Sequence, residues 1–218
     1  KNRIAFQGAA GTGKTWIAMK KAVRLSKEGK RVLFLCYNKH VNDFVGDWLD
    51  GNENIEVMTF HSFASGVVND FIAGEIEGAV CADQFFSFIG DLFAAGKGEE
   101  PKSEKKESDK TLPVKINGVI NSFRVFNSGA DYKSVIKTHA VSLPASLIDI
   151  ISLLLPSDTD TDDFYSERLP LAVTSAFESG SGHLNQYMYD AVIVDEGQDF
   201  HKNWCDTLKF IFDKYRSR

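Results

Sequence analysis

The run Gly8-Ala9-Ala10-Gly11-Thr12-Gly13-Lys14-Thr15 has the spacing of a phosphate-cradling loop, set between an apolar run and a segment of helical periodicity. Glycine at 8 and 13 lets the backbone turn sharply and close on the phosphates. Lys14 then reaches the β- and γ-phosphates, and the Thr15 hydroxyl can ligate Mg²⁺. The candidate contacts for a nucleoside triphosphate such as ATP are therefore Gly8, Ala10, Gly11, Thr12, Gly13, Lys14, Thr15 and Trp16. A second run, Asp190-Ala-Val-Ile-Val-Asp195-Glu196-Gly-Gln198-Asp199, reads as a buried strand ending in adjacent carboxylates. Asp195 would share Mg²⁺ with Thr15, while Glu196 would orient and deprotonate the water attacking the γ-phosphate. Taken alone, such a strand can simply end in an acidic turn. A phosphate loop in the same chain favours the metal reading.

These groups need elements to hold them. Arg3 to Phe6 reads as a buried strand and Lys14 to Ser26 as a helix with Trp16, Ile17, Met19, Ala22, Val23 and Leu25 at its apolar positions. Val32 to Cys36 is a second apolar strand, Asn38 to Leu49 a helix, and Ile55 to Thr59 a third strand. Strand and helix alternating through short links predict a parallel, doubly wound α/β sheet, with ligands at the carboxyl ends of its strands. The phosphate loop, Tyr37-Asn38-Lys39 and Phe60-His61-Ser62 all fall at such ends. The alternation then stops until Ala191 to Val194, whereas a βαβ step needs only ~30 residues, so a subdomain must be inserted between. The division expected is 1–65 for the first part of the core, 66–185 for a mostly helical insert, and 186–218 for the rest of the core.

Within the insert, 62–95 is expected to be helical, the charged stretch 96–110 a mobile loop, and 114–126 a β-hairpin around Asn117-Gly118. Pro144 starts a helix over 145–155 that Pro156 stops, and another helix covers 164–179. Asp158-Thr-Asp160-Thr-Asp162 resembles the start of a calcium loop, but Asp163 stands where glycine is required and Leu169 where the bidentate glutamate belongs. A solvated loop with Asp163 as helix cap fits better.

Composition narrows the class. The 218 residues are 43% hydrophobic with net charge −5, so no global basic field recruits nucleic acid and any such binding must rest on local groups. Cys36, Cys81 and Cys205 are odd in number and widely spaced, as expected of reduced thiols in a cytoplasmic protein. No apolar run approaches the ~20 residues of a membrane span, and a soluble monomer is expected.

Gly8 to Thr15, Asp195-Glu196-Gly197-Gln198-Asp199 and Thr59-Phe60-His61-Ser62-Phe63 together resemble the first motor lobe of superfamily-one DNA helicases of the UvrD/Rep type. The resemblance implies a P-loop NTPase fold: a RecA-like parallel sheet with helices on both faces, interrupted by an accessory subdomain. It implies an ATP-dependent motor moving 3′ to 5′ on single-stranded DNA. Lys14 would stabilise the γ-phosphate, Thr15 and Asp195 the metal, and Glu196 the attacking water. Gln198 would contact the γ-phosphate region and couple nucleotide state to DNA. Tyr37, Asn38 and Lys39 occupy the place of a single-strand-binding motif, though Tyr37 and the preceding Cys36 depart from its commoner form. Asn38 equally suits a helix N-cap. Phe60 would stack on a base, with Thr59, His61 and Ser62 near the backbone; core packing is the alternative for Phe60 and the better reading for Phe63. His61 has no partner at metal-ligand spacing.

The chain reads as part of a longer polypeptide, because the next helicase motif, the second RecA-like lobe and an arginine finger are not found in it. By itself it is expected to bind nucleotide weakly and hydrolyse it barely. The alternatives are a stand-alone NTPase or small-molecule kinase, and a non-catalytic nucleotide-binding module.

Overall fold

The computed structural model describes residues 4–9, 11–79, 82–96, 120, 123–126, 130–156, 163–180 and 182–215. The chain forms two compact units, one made of Lys1–Phe63 and Met188–His201, the other of Ala64–Tyr187 and Lys202–Arg218.

The first unit is built on a three-stranded parallel sheet. Helix α1 (Lys14–Lys27), strand β1 (Val32–Cys36), helix α2 (Lys39–Leu49) and strand β2 (Ile55–Thr59) alternate, and β3 (Ala191–Val194) returns much later in the chain. The strand order is β2-β1-β3. Val32 lies opposite both Ile55 and Ala191, Cys36 opposite Thr59, and Leu35 opposite Val194, so all three strands run out at one edge. Every residue of the central strand β1 is buried, which explains why VLFLC is apolar without alternation. Met19 and Ala22 of α1 and Val45 and Leu49 of α2 share a core with Val32, Phe34 and Cys36. Ile55, Val57, Ala191 and Ile193 extend that core along the sheet.

Helix α1 ends where Gly29 takes φ 76°, with its N–H on the Ser26 carbonyl at 2.9 Å and that of Lys30 on Leu25 at 3.1 Å. A glycine just past the last turn relieves the left-handed strain a side chain would add. At the opposite edge of the sheet from the strand exits, Arg31 ties the strand starts together. Its guanidinium meets Glu56 at 3.1 Å and donates to the Met188 carbonyl at 3.2 Å, and its backbone N–H donates to Asp190 at 2.9 Å. Tyr189 donates to Glu56 at 2.7 Å. Burial, then the hydrogen bond to Glu56 and the charge of that carboxylate, hold the Tyr189 phenol well above its ordinary range, with Arg31 opposing.

Phe34 is 0% exposed at the centre of this unit. Phe34→Ala is expected to cost about 3–5 kcal/mol, the lost transfer energy plus an uncollapsed cavity between α1, α2 and the sheet. Denaturant titration of the variant against the parent checks it.

The strand expected over Arg3 to Phe6 is not formed by its described residues. Residues 4–9 carry no strand structure, and Ile4 and Phe6 are 67% and 61% exposed. A short apolar run becomes a strand only where a neighbour takes its backbone hydrogen bonds, and among the described residues the ladder consists of β1, β2 and β3.

The second unit is helical among its described residues. It contains α3 (Phe60–Ala79), whose first four residues belong to the first unit, then α4 (Ala82–Gly96), α5 (Tyr132–His139) and α6 (Ala145–Leu154). Pro144 occupies the N-cap position of α6. Asp163 accepts from the Tyr165 N–H at 2.9 Å and opens a π-helical turn, Phe164–Arg168, that leads into α7 (Leu169–Glu178). Helix α8 (Lys202–Tyr215) packs against α7, with the Trp204 indole donating to the Tyr165 carbonyl at 2.9 Å and the Thr207 hydroxyl to Pro170 at 3.2 Å. The segment 186–218 expected in the sheet core divides: β3 joins the sheet, while these bonds group α8 with the helices. The hairpin expected around Asn117-Gly118, the charged stretch 97–110 and Asp158 to Asp162 lie outside the described residues. No helix among the described residues is long and apolar enough to cross a membrane.

Candidate nucleotide site

Parallel pairing sets three connections at the carboxyl edge of the sheet: Tyr37-Asn38 after β1, α3 after β2, and Asp195 to Asp199 after β3. Asp195 prolongs the ladder by one bond, its N–H donating to the Leu35 carbonyl at 2.9 Å. That bond holds its side chain level with the end of β1.

The glycine-rich loop is shaped by its own residues. Gly11 and Gly13 take φ 78° and 82°, a left-handed conformation that favours glycine, and Gly13 sits at the N-cap of α1. A Cβ at Gly8 would come within 2.8 Å of the Thr12 hydroxyl oxygen, so glycine there permits the loop to close on itself. Thr12 Oγ1 donates to the Ala9 carbonyl at 2.8 Å, and Lys14 Nζ to the Gly8 and Ala9 carbonyls at 3.0 and 3.1 Å. Gly11, which the spacing of the motif does not mark, shares the left-handed demand of Gly13, whereas Gly8 is constrained by space. Ala10 lies outside the described residues. The first turn of α1 carries no acidic residue, leaving its N–H groups and positive dipole end compatible with an anion.

Loop and carboxylate strand meet through their side chains. Thr15 Oγ1 donates to Asp195 Oδ2 at 2.9 Å, although 180 residues separate them. Asp195 is only 4% exposed. A hydroxyl and a carboxylate are hard oxygen donors, and Mg²⁺ takes one or two such protein ligands and completes its shell with water and phosphate oxygens. Among the described residues no group of three or more His, Cys, Asp or Glu could hold a metal. One hydroxyl and one carboxylate suit a cation delivered with a phosphate ligand better than an all-protein cage. Thr15 and Asp195 would hold Mg²⁺, which when bound neutralises charge on the β- and γ-phosphate oxygens.

Beyond Asp195 the backbone reverses. Glu196 takes φ 51° and ψ 43°, the only positive φ at a non-glycine residue among those described. Gly197–Asp199 closes a 3₁₀ turn with Asp199 N–H on the Glu196 carbonyl at 2.9 Å. Gln198 Nε2 lies 2.5 Å from Glu196 Oε2 and 3.4 Å from Asp199 Oδ2. Phe200 then anchors the turn, buried with its ring 6.4 Å from that of Phe60.

The residues proposed to meet DNA divide. Tyr37 is 41% exposed, and Asn38 and Lys39 beside it are exposed. Asn38 caps α2 by accepting from the Val41 N–H at 2.9 Å. Thr59 Oγ1 accepts from the Ser62 N–H at 3.2 Å and lies 3.0 Å from its hydroxyl, so these two organise the start of α3. His61 is partly buried and Ser62 exposed. Phe60 is only 1% exposed, packed with Phe63 and Phe200, which is the core role rather than a face open to a base. Trp16 turns to the outer side of α1 and meets Trp48 edge to face at 5.0 Å.

Cys36 ends β1 beside Asp195. Burial first, and the Asp195 charge second, push its thiol up to about 12 from 9.0. Because the folded value is raised, this stability is complete below pH 9 and is lost as pH rises from 9 through 12. The slope is at most about 1.4 kcal/mol per pH unit. Cys36→Ala should flatten the alkaline decline of unfolding free energy measured from pH 8 to 10.5.

Residues 1–78 match the family described as type III restriction enzyme, res subunit. No curated protein and no solved structure matches the chain. The family match supports a helicase-type ATPase domain, a class that generally uses ATP and Mg²⁺ and acts on nucleic acid. It covers the phosphate loop, β1, α2, β2 and most of α3, but not the carboxylate strand. The mixed α/β structure with its parallel sheet is consistent with a RecA-like domain.

Proposed function

We propose that this chain is the ATP-binding first lobe of an ATP-dependent DNA helicase or translocase of the UvrD/Rep type, moving 3′ to 5′ on single-stranded DNA. The observation that supports the reading is the 2.9 Å bond between Thr15 and Asp195, which brings together the two groups that would share Mg²⁺. Lys14 would meet the γ-phosphate and Glu196 the attacking water. A second RecA-like lobe would supply the transition-state arginine, an effect of ~10³–10⁵ in rate in other phosphate-loop enzymes. The helical segment between β2 and β3 would be the accessory subdomain inserted into this lobe.

Single-stranded DNA would cross the carboxyl edge of the sheet over Tyr37, Asn38 and Lys39, with Thr59, His61 and Ser62 nearby. Tyr37 provides a partly exposed stacking face and Lys39 a phosphate contact. Lys39→Ala is expected to weaken single-stranded DNA binding to a similar degree whatever the sequence and to reduce its salt slope by about 0.7. The reading as a whole is tested by ATPase assays of the full-length protein with and without oligo-dT. Stimulation by DNA supports it, and turnover indifferent to DNA but dependent on a small-molecule acceptor would favour a kinase instead.

A further inference from the structure

The hydrogen bonding of the turn after β3 gives Gln198 a task other than reading phosphate. Its side-chain amide lies 2.5 Å from Glu196 Oε2 and 3.4 Å from Asp199 Oδ2, and both contacts lie within one short turn. That turn is held at its two ends, by the Asp195 N–H on the Leu35 carbonyl and by buried Phe200 beside Phe60. Between the anchors Glu196 adopts a left-handed backbone, which costs a residue with a Cβ and persists only where the surroundings impose it. Gly197, Gln198 and Asp199 are exposed, so packing does not orient the Glu196 side chain from that direction. The amide of Gln198 does.

We infer that Gln198 is a positioning residue for Glu196: its amide N–H groups fix the glutamate carboxylate before nucleotide arrives, with Asp199 as the second acceptor that keeps the amide in place. This inference rests on the reading of Glu196 as the group that orients the attacking water. An amide that bonds an ionised carboxylate offers a strong, directional contact without adding charge. Glutamate at 198 has nearly the same shape but cannot donate, and it sets a second carboxylate against the first.

The test uses the full-length protein with four forms: parent, Gln198→Glu, Glu196→Gln and the double variant. Gln198→Glu should lower kcat by at least about tenfold while ATP and ADP dissociation constants stay within about twofold of the parent. In the Glu196→Gln background the same substitution should change kcat by less than about twofold, because the group it positions is already disabled. Gln198→Asn, which keeps the donor on a shorter arm, should recover part of the lost kcat. A selective loss of ATP over ADP affinity would make Gln198 a γ-phosphate contact and overturn the inference. Equal, additive losses of kcat in both backgrounds would also overturn it. Should Glu196→Gln leave turnover at the parental level, the assignment of Glu196 itself fails, and the inference with it.

Discussion

Lys14→Ala is expected to lower ATP turnover of the full-length protein by ~10²–10³-fold, the usual cost of deleting one preorganised group that stabilises transition-state charge. The fold should be unaffected. Lys14 is half-buried and, among the described residues, its ammonium bonds the Gly8 and Ala9 carbonyls of its own loop, so its removal opens no cavity in the core formed by Met19, Ala22 and Phe34. Steady-state kinetics with a denaturation curve checks both halves: kcat collapses while the unfolding midpoint stays in place. A variant that loses activity and stability together would assign Lys14 to the scaffold instead.

Asp195→Asn should be of similar size and should show a metal signature. The amide preserves the shape of a side chain that is 4% exposed and can still accept the Thr15 hydroxyl, yet it removes the anionic ligand for Mg²⁺. Turnover should fall by ~10²-fold or more, with part of the loss recovered at high Mg²⁺. A second consequence follows at Cys36. The Asp195 charge is one of two causes raising that thiol, so its removal should let Cys36 ionise at lower pH. The alkaline decline of unfolding free energy should therefore level off at a lower pH in the variant.

Several of these features are legible in the sequence, for physical reasons. β1 is recognisable as VLFLC because a strand buried along its whole length has no polar alternation to hide it, and β3 as AVIV because its run is equally apolar although it is only partly buried. Asn38 announces the start of α2 through the chemistry of a cap, and the structure has it accepting from Val41. Thr15 and Asp195 are matched in the sequence as two oxygen ligands for one cation, and the structure joins them by a 2.9 Å bond although no strand is formed by residues 4–9 ahead of the loop. Other features depend on contacts that no local pattern encodes. Residues 4–9 have the apolar character of a strand but lack a place in the ladder. Phe60 follows a strand end, where exposure is a reasonable expectation, and only the positions of Phe63 and Phe200 show that it is buried. The amphipathic pattern of α8 marks a buried face without saying which unit it faces. The left-handed Glu196 and its bond to Gln198 arise from a turn pinned at both ends, and spacing alone does not reveal them.

The central claim is that the glycine loop and the carboxylate strand form one Mg²⁺-dependent ATP site. Calorimetric titration of the protein with ATP, in Mg²⁺ and in EDTA, tests it most directly. The account predicts one saturable site whose affinity falls by about tenfold or more, some 1.4 kcal/mol, when the metal is removed. Affinity unchanged by EDTA, or no saturable binding in Mg²⁺, would contradict it.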